Sequence, residues 1–555
     1  MLTMNHVLAC TAFVFAVLLQ FIYRRYTRIS VQHVPGPRSA SFLLGNLREI
    51  YHRPAAEIDF EWQAEYGDVV RYKAAFGEDR LLISDPKVLH YILQTSGYRF
   101  SKPSEANEMT RITVGNGILT ADASDHKRHR KVLLPGFGGP QSRAFWPIFS
   151  GFAAQLTSKW KDMIVGSSNQ EVVIDIPRWT SRAMLDAIGE AAFDYQFGAM
   201  DNKETPLSAA YFTLLAKIYG SSNIAIFMQN LWAYFPPSWL PILSEFTPGM
   251  SLDHAKYTEK VATDVASKLI QTKMEELSHG EGNNDVVSLL VKANISENEN
   301  TKLSDGELYS QMRTIMFAGH DTTASTLSWT LLELARHPEI QQRLREEIRA
   351  KKQDLSGREL GIRDLESMPY FQAVVKESLR YHPVAPSIPR QADRDDILPL
   401  WKPITLTTGE VLHELPIPKG QRFTLSLAGY NRNKDIFGED AHVFNPDRWL
   451  STLPKISVNV GVYQNLLTFG GGLRACIGFR FALIGFQAFL VELVSTYEFA
   501  LTEEAKRIRR ELHAVMVPFI EGQTDQEAHL PLKVSFALSG PDKSISGSIG
   551  SNYIM

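Results

Sequence analysis

The amino-acid sequence predicts a mainly α-helical fold with a small β part (α+β), in one large domain behind an N-terminal transmembrane helix. Three observations carry this prediction. A helical pattern runs through Ser304–Arg336, far longer than an average helix. The β-like runs, such as Val69–Tyr72, are few and short. No internal repeat and no long linker divides the chain, whose hydrophobic content of 44% suffices for a sizeable core.

The N-terminal region predicts a membrane anchor. Val7–Tyr23 is uncharged and mostly apolar, and as a helix it would span about 26 Å, close to the ~27 Å of an endoplasmic-reticulum bilayer. Arginines follow this run and no Lys or Arg precedes it, which places the rest of the chain in the cytosol. A cleaved signal peptide is the alternative, but a basic start and a clear cleavage site are missing. We assign 1–34 to the anchor and its basic flank, 35–538 to the main domain and 539–555 to a mobile Ser/Gly-rich tail.

Charge and cysteine content narrow the function classes. The formal net charge of -3 at pH 7 gives no reason to expect nucleic-acid binding. The chain has two cysteines, Cys10 in the predicted anchor and Cys476 near the C-terminal end. They provide no disulfide framework, which favours a reducing compartment for the main domain.

The first half of the domain contains two segments of interest. In the basic run 126–131, His126 and Arg130 lie four residues apart and therefore share one face of a helix. A solvated helix face is the ordinary explanation of such a run, and the histidines do not form a His-Glu-x-x-His zinc motif. The aromatic segment Leu231–Leu240 predicts either a buried loop or a lid that dips into a membrane interface.

The long helix Ser304–Arg336 carries an unusual segment in its middle. Ser304 and Glu307 have the spacing of a capping box, and His337-Pro338 marks the end of the helix. The segment Ala318–Thr323 places a glycine and several polar residues within it. Such residues in a buried helix oppose both propensity and burial, which is typical of functional sites. An exposed helix is the alternative.

Three residues of this segment have chemistry to offer. Gly319 would let a flat partner approach the helix and let the helix open locally. Thr322 could present its hydroxyl to a bound oxygen species. Asp321 could connect that position to protons of the solvent. The segment is thus a candidate for oxygen and proton chemistry.

Further along, Glu377 and Arg380 lie three residues apart in a predicted helix, Met368–Tyr381. Alone, such a pair is usually a surface pair that contributes about 0.3–0.5 kcal/mol. The following prolines keep 383–389 extended, so that this segment can line a pocket and place Arg390 beside it. The last strand-like runs are short and lie near the C-terminal end.

The stretch Phe469–Gly478 holds Cys476 in a glycine-rich turn before an apolar helix. A helix N-terminus, a cation or a metal lowers the pKa of a thiol and favours the thiolate. A buried structural cysteine is the first alternative. A phosphate-binding loop is the second, but no Gly-Lys-Ser/Thr follows the glycines.

The pattern Phe-x-x-Gly-x-Arg-x-Cys-x-Gly of this stretch resembles the haem-thiolate loop of the cytochrome P-450 family. The Ala-Gly-His-Asp-Thr-Thr segment resembles the oxygen-activation segment of that family's distal helix. The Glu-x-x-Arg pair and Arg448 in Phe444–Trp449 resemble its structural network, and the motifs occur in the family's order. The resemblance covers essentially the whole chain after the anchor.

This resemblance implies the cytochrome P-450 fold and a set of site residues. The cofactor is haem b, with Cys476 as the iron ligand. The residues implied in binding the haem and its propionates are Arg130, His126, Arg390, Phe469, Gly472, Arg474 and Gly478. The residues implied in oxygen activation are Thr322, Asp321 and Gly319, and those implied in the network behind the loop are Glu377, Arg380 and Arg448.

Two positions depart from the family pattern. His126 stands where the family has a Trp that binds a propionate, and a His can also donate to a carboxylate. Gly485 stands where the family often has a Glu after the cysteine, which weakens inferences about the charge of the proximal face and about reductase docking.

The resemblance also implies an activity. By this resemblance the chain would be a microsomal, fungal-type monooxygenase of the endoplasmic-reticulum membrane. Such an enzyme inserts one oxygen atom from O₂ into a lipophilic substrate. The chain has no flavin or nicotinamide motif, so electrons would come from NADPH-cytochrome P-450 reductase, with cytochrome b5 as a second possible donor. A terpenoid or steroid-like secondary metabolite is the favoured substrate, and a fatty acid is the alternative. A haem-thiolate isomerase or dehydratase and a non-catalytic haem-binding protein are alternatives of another class.

Overall fold

The computed structural model describes residues 29–537 except 202–205, 208–209, 211–222, 248–251, 280–284, 298–301, 452–457 and 524–527. The predicted anchor helix, Cys10 and the tail 539–555 lie outside the described residues. The described part is predominantly helical and contains four small β-sheets. The predicted fold class is therefore confirmed for this part of the chain.

The α-helices are numbered in chain order. They are α1 (Leu47–His52), α2 (Glu57–Tyr66), α3 (Pro86–His90), α4 (Ser104–Val114), α5 (Ala123–Leu133), α6 (Gly139–Ala144), α7 (Trp146–Val165), α8 (Ile176–Phe193), α9 (Asn223–Leu231), α10 (Leu240–Glu245), α11 (Leu252–Ser278), α12 (Val286–Ser296), α13 (Asp305–Arg336), α14 (Pro338–Asp354), α15 (Ile362–Glu366), α16 (Pro369–Tyr381), α17 (Leu427–Asn431), α18 (Lys434–Phe437) and α19 (Phe479–Thr496). Short 3-10 turns connect several of them.

The strands are numbered in the same way. They are β1 (Val69–Lys73), β2 (Asp79–Ile83), β3 (Phe100–Ser101), β4 (Glu171–Asp175), β5 (Ser387–Ala392), β6 (Asp396–Thr405), β7 (Val411–Ile417), β8 (Arg422–Ser426), β9 (Tyr497–Leu501), β10 (Ile508–His513), β11 (Val515–Ile520) and β12 (Pro531–Phe536). The largest sheet has the order β1-β2-β8-β5-β3, with β2 and β8 parallel and its other pairs antiparallel. A second sheet has the order β4-β12-β9, and β6-β7 and β10-β11 form two hairpins.

Helix α13 lies at the centre of the fold and packs against α8, α11 and α19. It begins at Asp305 because Ser304 and Glu307 form the predicted capping box, and it ends at Arg336 before His337-Pro338. Its polar residues are tolerated inside the protein because their hydroxyls bond to carbonyls one turn earlier. Such bonds of 2.7–2.8 Å are made by Thr322, Thr326, Ser328 and Thr330.

Glu307 also connects α13 to α5. Its carboxylate accepts hydrogen bonds from Arg128 Nη1 at 3.0 Å and lies 3.0 Å from His129 Nε2. The bonds from Arg128 hold the pKa of Glu307 well below its usual range, with support from the Ser304 N–H and from His129. This contact fixes the position of α5, on which His126 and Arg130 lie.

Helix α19 follows the loop Phe469–Gly478, which carries Cys476 and is called the cysteine loop below. The helix packs against α7 and α13. Among the described residues it is the one helix that is long and apolar enough to cross a membrane, but 67% of it is buried inside the protein. Gly485 lies within it, buried, and a Cβ at this position would lie 2.9 Å from the Phe149 ring of α7. A glutamate there would thus displace Phe149, and Gly485 is explained by this packing rather than by the surface charge of the protein.

The aromatic segment after α9 combines both of its predicted characters. Trp232 is buried and donates from Nε1 to Thr247 Oγ1 at 3.2 Å. Tyr234 and Trp239 are half exposed, and Phe246 beyond them is 72% exposed. One side of the segment therefore belongs to the core, and the other is an apolar surface.

Candidate active site

A cavity of about 550 Å³ lies between α13, α5, β5 and the predicted cysteine loop. Most of its wall is apolar. Its hydrophobic lining includes Val114, Ile118, Leu133, Ile188, Ile315, Phe317, Val384, Ile388, Phe481 and Phe486. The cavity also brings Cys476 and Thr322, which are distant in sequence, onto the wall of one space.

The loop that carries Cys476 is shaped by close backbone contacts. The Cys476 N–H donates to the Phe469 carbonyl at 2.8 Å, which closes the loop. Gly472 has a φ of 64°, and a Cβ there would lie 1.9 Å from the Leu93 carbonyl oxygen, so only glycine fits. Gly472 is not among the cavity-lining residues, whereas Phe469, Arg474 and Gly478 are. Gly472 thus acts on the site by shaping the loop.

Cys476 lies deep inside the protein, and its side chain is accessible from the cavity. Burial raises the pKa of its thiol, although the N–H of Gly478 and the charge of Arg130 act in the opposite direction. The protein alone therefore does not stabilise a thiolate here, and a bound metal would supply the missing positive charge. No three His, Cys, Asp or Glu residues converge on a metal site in the described part of the chain.

Five basic side chains line the same cavity: Lys102, His126, Arg130, Arg390 and Arg474. No Asp or Glu is among the lining residues that the structure describes. Burial lowers the pKa of Arg390 to about 10, and burial with the nearby charges of Arg474 and Arg390 lowers that of Lys102 to about 7. Of these five side chains, Arg474 is the one that pairs with a carboxylate of the described residues. Its partner is Asp122, which does not line the cavity. The cavity therefore suits a ligand with anionic groups.

His126 makes a hydrogen-bond contact with a residue from another segment. Burial, together with the charge of Lys102, lowers the pKa of His126 to about 4, so the ring is neutral near pH 7. Its Nδ1 lies 2.8 Å from the Tyr98 hydroxyl. If the hydroxyl donates this bond, the proton of the ring is on Nε2. His126 can then offer an N–H donor, as the indole of a Trp would.

The distal wall is formed by the predicted segment of α13. Thr322 lines the cavity, and its hydroxyl donates to the Ala318 carbonyl at 2.7 Å. Gly319 also lines the cavity, but a Cβ there would lie 1.9 Å from Ile188 Cδ1 of α8, so this glycine serves the packing of two helices. Asp321 is not a lining residue. It accepts a bond from Ser181 at 3.3 Å on the side of α8.

Behind the loop lies a buried ion network. Glu377 is fully buried and accepts two bonds from Arg380, at 2.7 and 2.8 Å. It also accepts bonds from Arg448 Nε at 3.1 Å, from the Asn445 N–H at 2.8 Å and from Trp449 Nε1 at 2.9 Å. One carboxylate thus joins two guanidinium groups, as the sequence predicts.

The network reaches the loop through residues that the motifs do not contain. Arg380 Nη1 donates to the Asn431 carbonyl at 3.0 Å. The side chain of Asn431 accepts from the Leu467 N–H and donates to Thr468 Oγ1, both at 2.9 Å. Leu467 and Thr468 directly precede Phe469, the first residue of the loop. The backbone of the cysteine loop is therefore attached to the buried ion network.

Comparisons with known proteins agree with this site. The sequence model of the family described as cytochrome P-450 matches residues 34–523. The chain belongs to the cytochrome P-450 family. Relatives include cytochrome P-450 monooxygenase 205 of Postia placenta, 32% identical over 91% of this chain and 92% of that protein. The ganoderic acid synthetase of Ganoderma lucidum is 32% identical over 88% of this chain and 92% of that protein.

The cytochrome P-450 family consists of oxidoreductases that use haem b, with a cysteine thiolate as the iron ligand. The cavity fits this group in two respects. The accessible thiol of Cys476 suits an iron that a porphyrin already holds, and the basic lining suits the two propionates. The predicted cofactor is thus confirmed at the level of the family.

Sequence reasoning missed several residues of the site. Lys102 donates to the Ala121 carbonyl at 3.0 Å and so comes to line the cavity. Tyr98 holds His126, and Asn431 and Thr468 connect the ion network to the loop. None has a local sequence signal, because each acts through a partner distant in the chain.

Proposed function

We propose that this protein is a haem-thiolate monooxygenase that inserts one oxygen atom from O₂ into a lipophilic molecule. The observation that carries the proposal is the one cavity that Cys476 and Thr322 line together, with a mainly apolar wall and a cluster of basic side chains. Cys476 would ligate the haem iron. Arg130, Arg390, Arg474 and the Nε2–H of His126 would bind the propionates, and Lys102 is a further propionate donor.

The haem, when bound, supplies the reduction of O₂ and the transfer of oxygen. The protein excludes water from the cavity with its apolar lining and moves protons. Thr322 presents a hydroxyl to the cavity. Asp321 precedes it in the chain, and its side chain is 23% exposed to solvent. A proton from the solvent would reach the cavity from Asp321 by way of Thr322.

The substrate is proposed from the chemistry of the cavity. Its wall is mainly aliphatic and aromatic, with scattered hydroxyl and amide groups such as Asn107, Thr110 and Thr314. A terpenoid or steroid-like secondary metabolite fits such a wall, and one relative is named a ganoderic acid synthetase. A fatty acid is the second candidate, because the aliphatic and aromatic wall also suits an acyl chain.

The redox partner and the location follow from the same proposal. Electrons would come from NADPH-cytochrome P-450 reductase, with cytochrome b5 as an additional donor. The protein would sit on the endoplasmic-reticulum membrane through residues 1–34, with its main domain in the cytosol. Exposed apolar side chains support contact with a membrane; they include Phe42, Leu43, Tyr234, Trp239, Ile242 and Phe246.

The experiment that tests this function is an incubation of the haem-loaded protein with reductase, NADPH and a panel of terpenoids, steroids and fatty acids. We expect mass spectrometry to find a product heavier by one oxygen atom, which becomes labelled when the gas is ¹⁸O₂. Turnover without O₂ or NADPH would instead identify an isomerase or dehydratase. Substrate-independent haem binding without any product would identify a non-catalytic haem protein.

A substitution of Thr322 by alanine tests proton delivery. We expect Thr322→Ala to divert electrons from product to hydrogen peroxide, because the variant lacks the hydroxyl that faces the cavity. The loss of product per NADPH should approach the lower end of the 10²–10⁴-fold range of general acid–base groups, or about 100-fold.

Thr330→Ala is the matched control, since Thr330 makes the same bond to the carbonyl one turn earlier but does not line the cavity. Equal peroxide yields in the two variants would show that Thr322 has no special part in proton delivery.

A further inference from the structure

His320 is a fully buried histidine next to Asp321 on α13, and the proposed reaction gives it no part. Its Nδ1 lies 2.7 Å from the Met316 carbonyl oxygen, and its Nε2 lies 3.0 Å from Asp321 Oδ1. The second contact is an ion-pair contact rather than a linear hydrogen bond. The imidazole therefore lies between two oxygen atoms.

The Met316 carbonyl oxygen and the Asp321 carboxylate together limit which nitrogen atoms of His320 can carry protons. A carbonyl oxygen only accepts, so Nδ1 must carry a hydrogen. A neutral ring would then turn the lone pair of Nε2 toward the carboxylate of Asp321, and this contact would be repulsive if Asp321 were ionised. One further proton, on Nε2 or on Asp321, removes the repulsion. The geometry thus assigns one shared proton to the pair.

The groups around His320 also favour its protonated form. Burial alone lowers the pKa of His320, but the charge of Asp321 and the Met316 carbonyl together raise it above its usual value. The charge that raises the pKa of His320 among the contacts that the structure describes is that of Asp321. Ser181 of α8 faces Asp321 with a neutral hydroxyl.

The pair also has a useful location. Asp321 is partly exposed on the side of α8, while Thr322, the next residue, has its hydroxyl at the cavity. His320 is not among the described residues that line the cavity, and its described route to the reaction is its contact with Asp321. It would be a positioning residue.

We propose that His320 and Asp321 hold one shared proton beside Thr322, and that His320 sets how readily Asp321 gives up and regains it. The proposal rests on the proposed monooxygenase function. In each delivery the shared proton passes from Nε2 to the Asp321 carboxylate and from there toward the cavity, and a proton from the solvent then restores the first state. No electron is transferred in these steps.

The first test measures the proton itself. In the full-length, haem-loaded protein with ring-¹⁵N-labelled histidine, kept in the diamagnetic reduced carbonyl state, we expect His320 to show two protonated nitrogens, or one shared, at pH 7. The assignment would come from the signal lost in His320→Gln. A singly protonated ring whose Nε2 neither carries nor accepts a proton shared with Asp321 at pH 7 would overturn the proposal. This test needs no turnover, so it is independent of the proposed function.

The second test uses the coupling of NADPH oxidation to product. The shared proton is present below the raised pKa of His320 and is lost above it, so wild-type coupling should fall as the pH rises through that value. His320→Gln keeps a donor but cannot titrate, and should lose this pH dependence with unchanged substrate binding. We expect coupling at neutral pH to fall by about tenfold, less than the 10²–10⁴-fold effect of a direct proton donor.

His382→Gln is the matched control. His382 is also buried on a carboxylate of α13, with Nε2 2.9 Å from Glu333 Oε1, but it does not line the cavity or contact Asp321 among the described contacts. It should keep the wild-type pH profile. An unchanged profile in His320→Gln, or the same change in both variants, would overturn the proposal.

Discussion

Replacing Cys476 with serine is expected to abolish the red-shifted Soret band of the reduced carbonyl adduct, together with oxygenation. Among the described residues that line the cavity, Cys476 is the one cysteine and there is no methionine, so no second soft ligand is available. The one histidine of the lining is His126. A serine oxygen donates less electron density to iron than a thiolate does. The activity loss should exceed the roughly 10–100-fold losses typical of changes behind a metal ligand.

The measurement is a difference spectrum of the reduced protein with and without carbon monoxide, followed by product analysis. Cys10→Ser is the matched control, since it replaces the other cysteine of the chain and should leave the band in place. A histidine-type spectrum in the wild-type protein would contradict the assignment of the ligand. A red-shifted band that persists in Cys476→Ser would place the thiolate elsewhere.

The features that the sequence predicted well are those with local causes. Helix α13 starts within one residue of the predicted position because Ser304 and Glu307 cap each other three residues apart. It ends as predicted because Pro338 cannot continue the helix. His126 and Arg130 share a helix face for the same kind of reason. In each case the deciding contact lies within one turn of chain.

Other features depend on contacts that no local pattern records. The partners of the Arg380 guanidinium beyond Glu377 are backbone carbonyls of two separate segments, at Asn431 and at Ala441 and Val443. Backbone acceptors have no residue type to recognise. Lys102 reaches the cavity only because the chain brings it to a carbonyl about 20 residues later. These residues are found only from the three-dimensional structure.

The glycines are a third case. The sequence singles out these positions, but the structure is needed to show which neighbours lie close to them. We expect Gly319 to admit a flat partner, and the structure adds that it lines the cavity and that Ile188 of α8 packs beside it. We related Gly485 to surface charge, whereas the ring of Phe149 lies where its side chain would be. A glycine in a sequence indicates that something lies close to the backbone, but the neighbour is set by tertiary packing.

The second large effect is expected from Glu377→Gln. The change keeps the shape of the side chain and removes the charge that compensates Arg380 and Arg448, which are both buried. Breaking a buried ion network from one side costs about 3–5 kcal/mol, because the buried charge of Arg380 then lacks a carboxylate partner among the described residues, whereas Arg448 keeps its ion pair with Asp440. Since this network also holds the backbone before Phe469, we expect the variant to fold poorly and to bind little haem.

The measurement is the haem content per polypeptide after purification and the thermal midpoint of whatever soluble protein remains. Asp447→Asn is the matched control in the same segment. Asp447 pairs with Arg343 at 2.7 Å, but both side chains are at least half exposed, so the change should cost less than about 1 kcal/mol and leave haem binding intact. Similar losses in both variants would contradict a special role for the buried network.

Asn431→Ala separates the two functions of the network, namely the stability of the fold and the support of the loop. It leaves the contacts of Glu377 in place and removes the side-chain bonds to Leu467 and Thr468, which should cost about 1–3 kcal/mol. If the network acts on the site by holding the loop, this variant should stay folded but lose haem faster than the wild type in a transfer assay. If haem loss is unchanged while Glu377→Gln fails to fold, the network supports the fold alone.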